Sequence, residues 1–374
     1  LSGQLGPGAL TGDDMMETMK LCVSCKACKR ECPTGVDMAR MKIEVLKARA
    51  DLYGYSLRDR LIANLPRYAR LAAWAAPLLN LRNKSAMLRA LSERIAGFSA
   101  RRSLPVWRRD RFDHPGESFG PQDGHEVVLW ADSFNAAFEP EVLRDAVAVL
   151  TGTGYRVHLA APAPKDGGQP LCCGRTYLAV GNVAAARTQM RRTLDALAPF
   201  FVRGVPLVGL EPSCLLTFRD EAQAMLPGAD SKRAAAHALL LEEFLAREAK
   251  AGRFKPAFKP ADRKVMLHGH CHQKAFAAMG AVEETLRLIP GLQVETIQSS
   301  CCGMAGAFGY QAETFDVSMK MGELSLLPAA RGADAQTVLV ADGTSCRHQI
   351  ADGAGRKTMH VASLLAAHMC GPDA

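Results

Sequence analysis

From residue 127 onward the chain alternates short apolar runs with longer amphipathic segments: 127–130, 140–150, 156–160, 182–201, 206–210 and 231–250. Runs of four or five apolar residues suit buried strands, and the segments between them repeat their apolar positions at helical spacing. This is the rhythm of βαβ units around a parallel sheet. The rhythm then occurs a second time. Val265-Met266-Leu267-His268 corresponds to Val127-Val128-Leu129-Trp130, Cys301-Cys302-Gly303 to Cys172-Cys173-Gly174, and Ser345-Cys346 to Ser213-Cys214. A repeat of about 130 residues in the same strand-helix frame indicates an internal duplication. Pro256 and Pro260 mark the joint between the copies.

Residues 37–104 follow a different pattern, with apolar positions at Met38, Met41 and Val45 and again at Leu57, Leu61 and Leu65, separated by Lys and Arg. That spacing predicts helices, the first capped by Asp37. Between the two regions, residues 108–125 hold Asp113-His114-Pro115-Gly116 and Gly120-Pro121 with little periodicity, and read as a linker.

A chain of 374 residues with 48% hydrophobic content supports several packed units. The longest apolar stretch, 71–79, is broken by Pro77 and flanked by arginines, far short of the roughly 20 residues of a membrane span. A soluble or at most peripheral protein is expected. No secretory signal follows Leu1, and an opening residue other than Met suggests a fragment of a longer chain. The net charge of +8 is concentrated between residues 40 and 111, including Arg101-Arg102 and Arg108-Arg109. With no aromatic residues interleaved to stack bases, this density reads as a solvated helical surface rather than a site for nucleic acid or an anionic membrane face.

Eleven of the twelve cysteines fall in short patterned groups, which in a chain of this size points to metal or cluster ligation in a reducing cytosol. The sharpest group is Cys22-x2-Cys25-x2-Cys28-x3-Cys32-Pro33. Thiolates at this spacing wrap a compact loop around a 4Fe–4S cube. A zinc ribbon would use two separated pairs, and a thioredoxin-like site a single pair near a strand. In the two-cluster form of this motif the first three cysteines bind one cluster and the fourth reaches another. Either one cluster is bound here with atypical geometry, or further ligands precede Leu1. The fold class expected is thus a helical, ferredoxin-like 4Fe–4S domain over residues 1–107, the linker 108–125, and two duplicated α/β lobes with parallel sheets, each carrying a Cys-Cys-Gly element, over 126–255 and 256–374.

In the second copy, Cys271, Cys301, Cys302 and Cys346 each follow an expected strand, where parallel sheets gather their loops. Four thiolates there can converge on a second metal centre, iron–sulfur or zinc. The first copy offers Cys172, Cys173 and Cys214, with Ser133 or Asp132 standing where the second has Cys271. His268, His270 and His272 form the densest histidine group. Their expected role is hydrogen bonding to cluster sulfurs or to a substrate carboxylate, against plain packing. Gly303, Gly306 and Gly309 allow close backbone approach to an inorganic core, and their spacing excludes a dinucleotide loop.

With Leu21-Cys-Val-Ser-Cys-Lys-Ala-Cys-Lys-Arg-Glu-Cys-Pro-Thr-Gly-Val-Asp37, both Cys-Cys-Gly elements and the closing Gly343-Thr-Ser-Cys346, the chain resembles the iron–sulfur half of fused bacterial FAD-linked D-2-hydroxyacid dehydrogenases. It is similar, more loosely, to the C-subunit of anaerobic glycerol-3-phosphate dehydrogenase and the B-subunit of heterodisulfide reductase. The opening Leu1-Ser-Gly-Gln-Leu-Gly6 looks like the segment joining two cysteine groups in the fused family. The resemblance implies a flavin domain, upstream or on a separate polypeptide, that oxidises a D-2-hydroxyacid such as D-lactate, D-2-hydroxyglutarate or glycolate. Clusters in this chain would relay electrons from FAD to a quinone or carrier protein, in the cytoplasm or at the inner membrane face. Catalytic residues are not assigned. The heterodisulfide reductase pattern departs here, since Glu211 and Gly343 replace the first cysteine of its CxxC pairs. A cluster-catalysed disulfide reductase and a zinc-stabilised binding module are the alternative functions.

Overall fold

A computed structural model describes residues 4, 6 and 8–370, so most of the proposed joining segment 1–6 lies outside the described residues. Its architecture is a helical N-terminal region followed by two α/β lobes.

The helices begin where the sequence caps them. Asp37 accepts from the Arg40 amide at the start of Met38–Tyr53, and Ser56 with Asp59 forms a capping box on Leu57–Ala63. Pro66 and Pro77 stand in the first turns of Leu65–Trp74 and Ala76–Lys84, where a missing amide does no harm. The basic density differs from a plain solvated surface. Arg82 and Arg102 are buried, Arg82 donating to the carbonyls of Ser99 and Arg102, and Arg102 to Gln349 in the second lobe. Among the described residues no helix is long and apolar enough to cross a membrane.

The first sheet contains β1 (Ser118–Phe119), β2 (His125–Trp130), β3 (Tyr155–His158), β4 (Leu207–Gly209) and β5 (Ala238–Leu240), in the order β1-β3-β2-β4-β5. The second contains β6 (Arg263–Leu267), β7 (Leu292–Thr296), β8 (Val338–Val340) and β9 (Thr358–Met359), in the order β7-β6-β8-β9. Apart from β1, the pairings are parallel and the two orders coincide strand for strand. Two features depart from expectation. Residues 108–125 are not a bare linker, because β1 pairs antiparallel with the edge strand β3, between two glycines of positive φ, Gly116 and Gly120. The segment 231–250 is not one helix, because the three-residue β5 interrupts it between Ala229–His237 and Leu241–Lys250.

Alternation along β2 sends Val127 and Leu129 into one apolar cluster and Val128 and Trp130 into another, so both faces of the sheet are covered. The first cluster also takes in Val265, Leu267 and Leu365, which makes the lobe interface part of a continuous core. The packing there is reciprocal. Pro140–Gly152 of the first lobe lies on Val361–His368 of the second, and Met279–Leu286 of the second lies on Leu241–Lys250 of the first. Each lobe thus offers the helix after its first central strand to the other's last helix, the arrangement of a pseudo-twofold pair. Buried residues such as Phe244 and Leu286 contribute about 1.5–3 kcal/mol each to holding it. The joint is fixed as well, Phe258 bridging to Met369.

Candidate cluster and metal sites

The Cys22–Cys32 loop curls through two left-handed residues, Ser24 and Lys26, before the short helix Ala27–Glu31. Cys28 Sγ accepts from the Met38 amide at 3.3 Å. Burial raises the pKa of the Cys25 thiol, and the charges of Cys271, Cys22 and Cys28 add to that. Cys32 is turned elsewhere: its sulfur lies 3.1 Å from Thr34 Oγ1, and that bond lowers its pKa. Cys25 therefore lies within reach of the charges of Cys22, Cys28 and Cys271, while the Cys32 sulfur faces Thr34.

The loop is docked on both lobes. Lys26, 1% exposed, reaches Asp220 and Glu221 of the first lobe at 2.5 and 2.8 Å. In the second lobe, His272 Nε2 donates to the Ser24 carbonyl at 3.0 Å. A cavity of about 1150 Å³ opens beside the loop, lined among others by Cys22, Ser24, Arg175, Glu211, Cys271 and Thr344. Of the motif cysteines Cys22 lines this cavity, across from Cys271, which leaves open space beside sulfur donors of both regions.

In the second lobe the sulfurs form a chain of neighbours, Cys271 to Cys301, Cys301 to Cys302 and Cys302 to Cys346. A ring nitrogen of His268 and the sulfurs of Cys302 and Cys346 lie within 4.8 Å of one another, all three residues buried. His268 Nδ1 bonds Ser299 Oγ at 2.8 Å, whereas its buried Nε2 has no hydrogen-bond partner. With metal–sulfur bonds of ~2.3 Å, groups this close can share a single ion. His268 thus stands beside the two sulfurs, close enough to share an ion with them as well as to hydrogen-bond to them. His270 caps Cys271–Ala275 through its Nδ1, and His272 holds the Cys22 loop.

The first lobe repeats the backbone but not the donor set. Cys172 Sγ accepts from the Gly174 amide as Cys301 Sγ does from that of Gly303, at 3.3 and 3.4 Å. Ser133, not Asp132, is the counterpart of Cys271: each is the first residue of its helix, preceded by a capping side chain, Asp132 or His270. Cys172, Cys173 and Cys214 with Ser133 and Arg175 enclose about 10 Å³, the space of one small ion or water and not of a multi-iron cluster. Burial and the nearby Glu211 push the Asp132 carboxyl up to about 7.

The glycines after the doublets serve the fold. Gly303 has φ +89° and a Cβ there would collide with the Ser318 carbonyl; Gly174 has φ +85° and a Cβ would meet the Ala186 carbonyl at 2.9 Å. Gly309 is likewise packed on Met304, so only Gly306, facing the cavity, retains open space. Pattern reading missed two charged residues around the sulfurs, Arg175 and Lys274, and noted Glu211 only as a replaced cysteine. Arg175 bonds Glu221 at 2.7 Å and lies 3.5 Å from His272 Nε2. Lys274 donates to the carbonyls of Ser299 and Ser300, beside Cys346 and Cys271. Glu211 spans the lobes, capping its own helix through Ser213 and accepting from the Thr344 amide at 2.9 Å. Their only sequence signal is adjacency to the cysteine motifs.

No family model matches the chain. It is 26% identical to D-2-hydroxyglutarate dehydrogenase of Escherichia coli K12 over 360 residues, 93% of this chain and 34% of that protein. The protein of the same name from Pseudomonas putida KT2440 is 28% identical over the same shares. The C-subunit of anaerobic glycerol-3-phosphate dehydrogenase from E. coli K12 is 27% identical over 329 residues, 87% of this chain and 80% of that protein. The chain thus spans about a third of the first two relatives, and the similarity supports kinship with this dehydrogenase group.

Proposed function

We propose that this chain is the iron–sulfur electron-transfer part of an FAD-linked D-2-hydroxyacid dehydrogenase. The observation that carries the reading is the seating of the Cys22–Cys28 loop against Cys271 and His272, which brings two sulfur-rich sites together at one cavity. Cys22, Cys25 and Cys28 would hold a 4Fe–4S cluster within a helical, ferredoxin-like domain, residues 1–107. Cys271, Cys301, Cys302 and Cys346, with His268 beside them, would hold a second centre in the lobe 256–374. Such groups accept and pass single electrons, and the protein's part is to fix their spacing and surroundings. Arg175 and Lys274 place positive charge beside the sulfurs, which works against the mutual interaction and burial that raise these thiols' pKa. In the lobe 126–255, Cys172, Cys173 and Cys214 would bind at most one ion.

The flavin would belong to a domain of the same polypeptide or to a separate one, the two arrangements suggested by the relatives. Leu71, Trp74 and Leu78 are more than two-thirds exposed on the helical region and offer an apolar surface for that domain. The acceptor would be a quinone or a carrier protein, at the inner membrane face or in the cytoplasm.

Anaerobic purification followed by iron and sulfide analysis and low-temperature paramagnetic resonance tests the reading. Iron–sulfur signals that are reduced on mixing with a hydroxyacid-reduced flavoprotein partner support it. A colourless chain containing zinc alone would overturn it, and disulfide reduction by the isolated chain would favour a catalytic role for the second centre.

A further inference from the structure

The helix Met38–Tyr53 starts at the cysteine motif and brings two positive groups to it. Its first amide, that of Met38, donates to Cys28 Sγ at 3.3 Å, so the positive end of a 16-residue helix dipole faces this sulfur. One turn further on, half-buried Lys42 reaches the motif, and its Nζ donates to the Cys22 carbonyl at 2.6 Å. Lys42 and Cys22 both line the cavity that extends to Cys271. The cations around the motif differ in whether a carboxylate offsets them. Lys26, Lys29 and Arg40 are bonded to Asp220, Arg175 to Glu221, and Arg30 lies 3.8 Å from Glu31. Lys42 makes no ion pair among the described residues, and the carbonyl it binds is neutral. Burial lowers its pKa from the ordinary lysine value, and the charge of Cys22 acts the other way.

We infer that Lys42, with the helix that carries it, sets the reduction potential of the iron–sulfur group proposed for Cys22, Cys25 and Cys28, by favouring its reduced state. The inference rests on that proposed ligation, which the donor set suits: the charges of Cys22 and Cys28 act on Cys25, and open space adjoins Cys22. Reduction adds a single electron, drawn from the reduced flavoprotein, and requires no proton or ligand to move. The Lys42 ammonium attracts the added negative charge, and the Met38 amide bonds one of the sulfurs that share it. Charges and hydrogen bonds at the sulfurs are what tune such potentials. Because the carbonyl and sulfur of Cys22 belong to one residue, Nζ lies within about 10 Å of any group that sulfur holds. At that range and an effective dielectric constant of about 20, one unit charge changes the ratio of reduced to oxidised form roughly tenfold. Lys26 lacks this effect, since Asp220 and Glu221 neutralise it. Lys42 thus makes the N-terminal group the readier acceptor of electrons from the flavin.

The experiment is a potentiometric titration of the full chain, purified anaerobically and followed by low-temperature paramagnetic resonance, with iron counted in each sample. The signal that Cys25→Ser removes identifies the N-terminal group. Lys42→Met should keep the iron and lower the midpoint, so that the reduced-to-oxidised ratio at the wild-type midpoint falls ~10-fold, which is ~59 mV for one electron. Lys42→Arg retains the charge and should return the midpoint to near the wild-type value, which a role in packing alone would not require. If Lys42→Met loses iron, Lys42→Gln, which can still donate to the Cys22 carbonyl, makes the same comparison. A wild-type chain without an iron–sulfur signal would sink the proposed ligation and this inference with it. A wild-type signal whose midpoint is unchanged in Lys42→Met would overturn this inference alone. So would loss of iron from both neutral variants, which would make Lys42 a prop for the loop.

Discussion

Lys26, set between Cys25 and Cys28, extends its ammonium to within 2.5 Å of Asp220 Oδ2, 194 positions along the chain. Burial alone would raise the Asp220 pKa, but Lys26, Lys29 and Arg40 outweigh it and hold the carboxyl below the usual range. The cysteine loop is therefore anchored by charge, whatever it ligates. Lys26→Met leaves Glu221 to Arg175 and Asp220 to Lys29 and Arg40, so no carboxylate is stranded, and the loss of its charged hydrogen bonds should destabilise by ~2 kcal/mol. Chemical denaturation checks this, and iron retention should fall with the loop's docking.

The four cysteines of the motif should separate in their behaviour. Cys25→Ser should strip most iron from the N-terminal site, whereas Cys32→Ser should leave it, because the charges of Cys22 and Cys28 act on Cys25 while the Cys32 sulfur is bonded to Thr34. Iron counts equal in both variants would show that all four act on one cluster.

His268 offers a third comparison. Its Nε2 is buried and without a partner at ligand distance from Cys302 and Cys346. His268→Ala should lower metal content in the second lobe and shift the resonance signature of its centre, while His272→Ala should leave both and loosen the Cys22 loop. A His268→Ala chain with unchanged metal and spectrum would return this histidine to a packing role.

Stability in acid should depend on Glu248. Its bond to Arg253 at 2.6 Å holds the carboxyl below the ordinary glutamate value, despite burial and with help from Tyr155. A depressed folded pKa contributes stability that is complete above the unfolded value of about 4.3 and is lost as pH falls through the folded value. Denaturation profiles of wild type and Glu248→Gln should therefore differ near neutrality and converge in acid.

What the chain's pattern revealed, and what it concealed, follows from contact range. The run 127–130 and the segments 140–150 and 182–201 carry their own periodicity, and became β2, Pro140–Gly152 and Val183–Val202. Strand β5 stayed hidden because Ala238, Leu239 and Leu240 sit among helix formers, and only pairing with β4 makes them a strand. The cysteines were legible because their spacing is local. Lys26 with Asp220, and His272 with Ser24 across 248 positions, required the topology to bring them together.

The last prediction tests the duplication itself. Ser133 and Cys271 occupy the same place, each opening a helix behind a capping side chain, and each doublet sulfur beside them accepts the amide of its glycine. The first lobe therefore lacks the fourth sulfur and, with Trp130 in the place of His268, the imidazole, and its cavity already lies between Ser133, Cys172, Cys173 and Cys214. Ser133→Cys should supply the sulfur. The exchange replaces one γ atom by another on the same backbone, the larger sulfur reaching further into the cavity, and four thiolates can hold a single tetrahedral ion. Expected is one additional zinc per chain after loading with Zn2+, with a higher melting temperature. Cys271→Ser, the reverse exchange, should weaken the second lobe's centre and leave the first unaffected. If Ser133→Cys gains no metal while folding normally, the lobes share a backbone ancestry but not a metal geometry. Asp132, held up to about 7 by burial and by Glu211, would then be the group that sets the first lobe's chemistry apart.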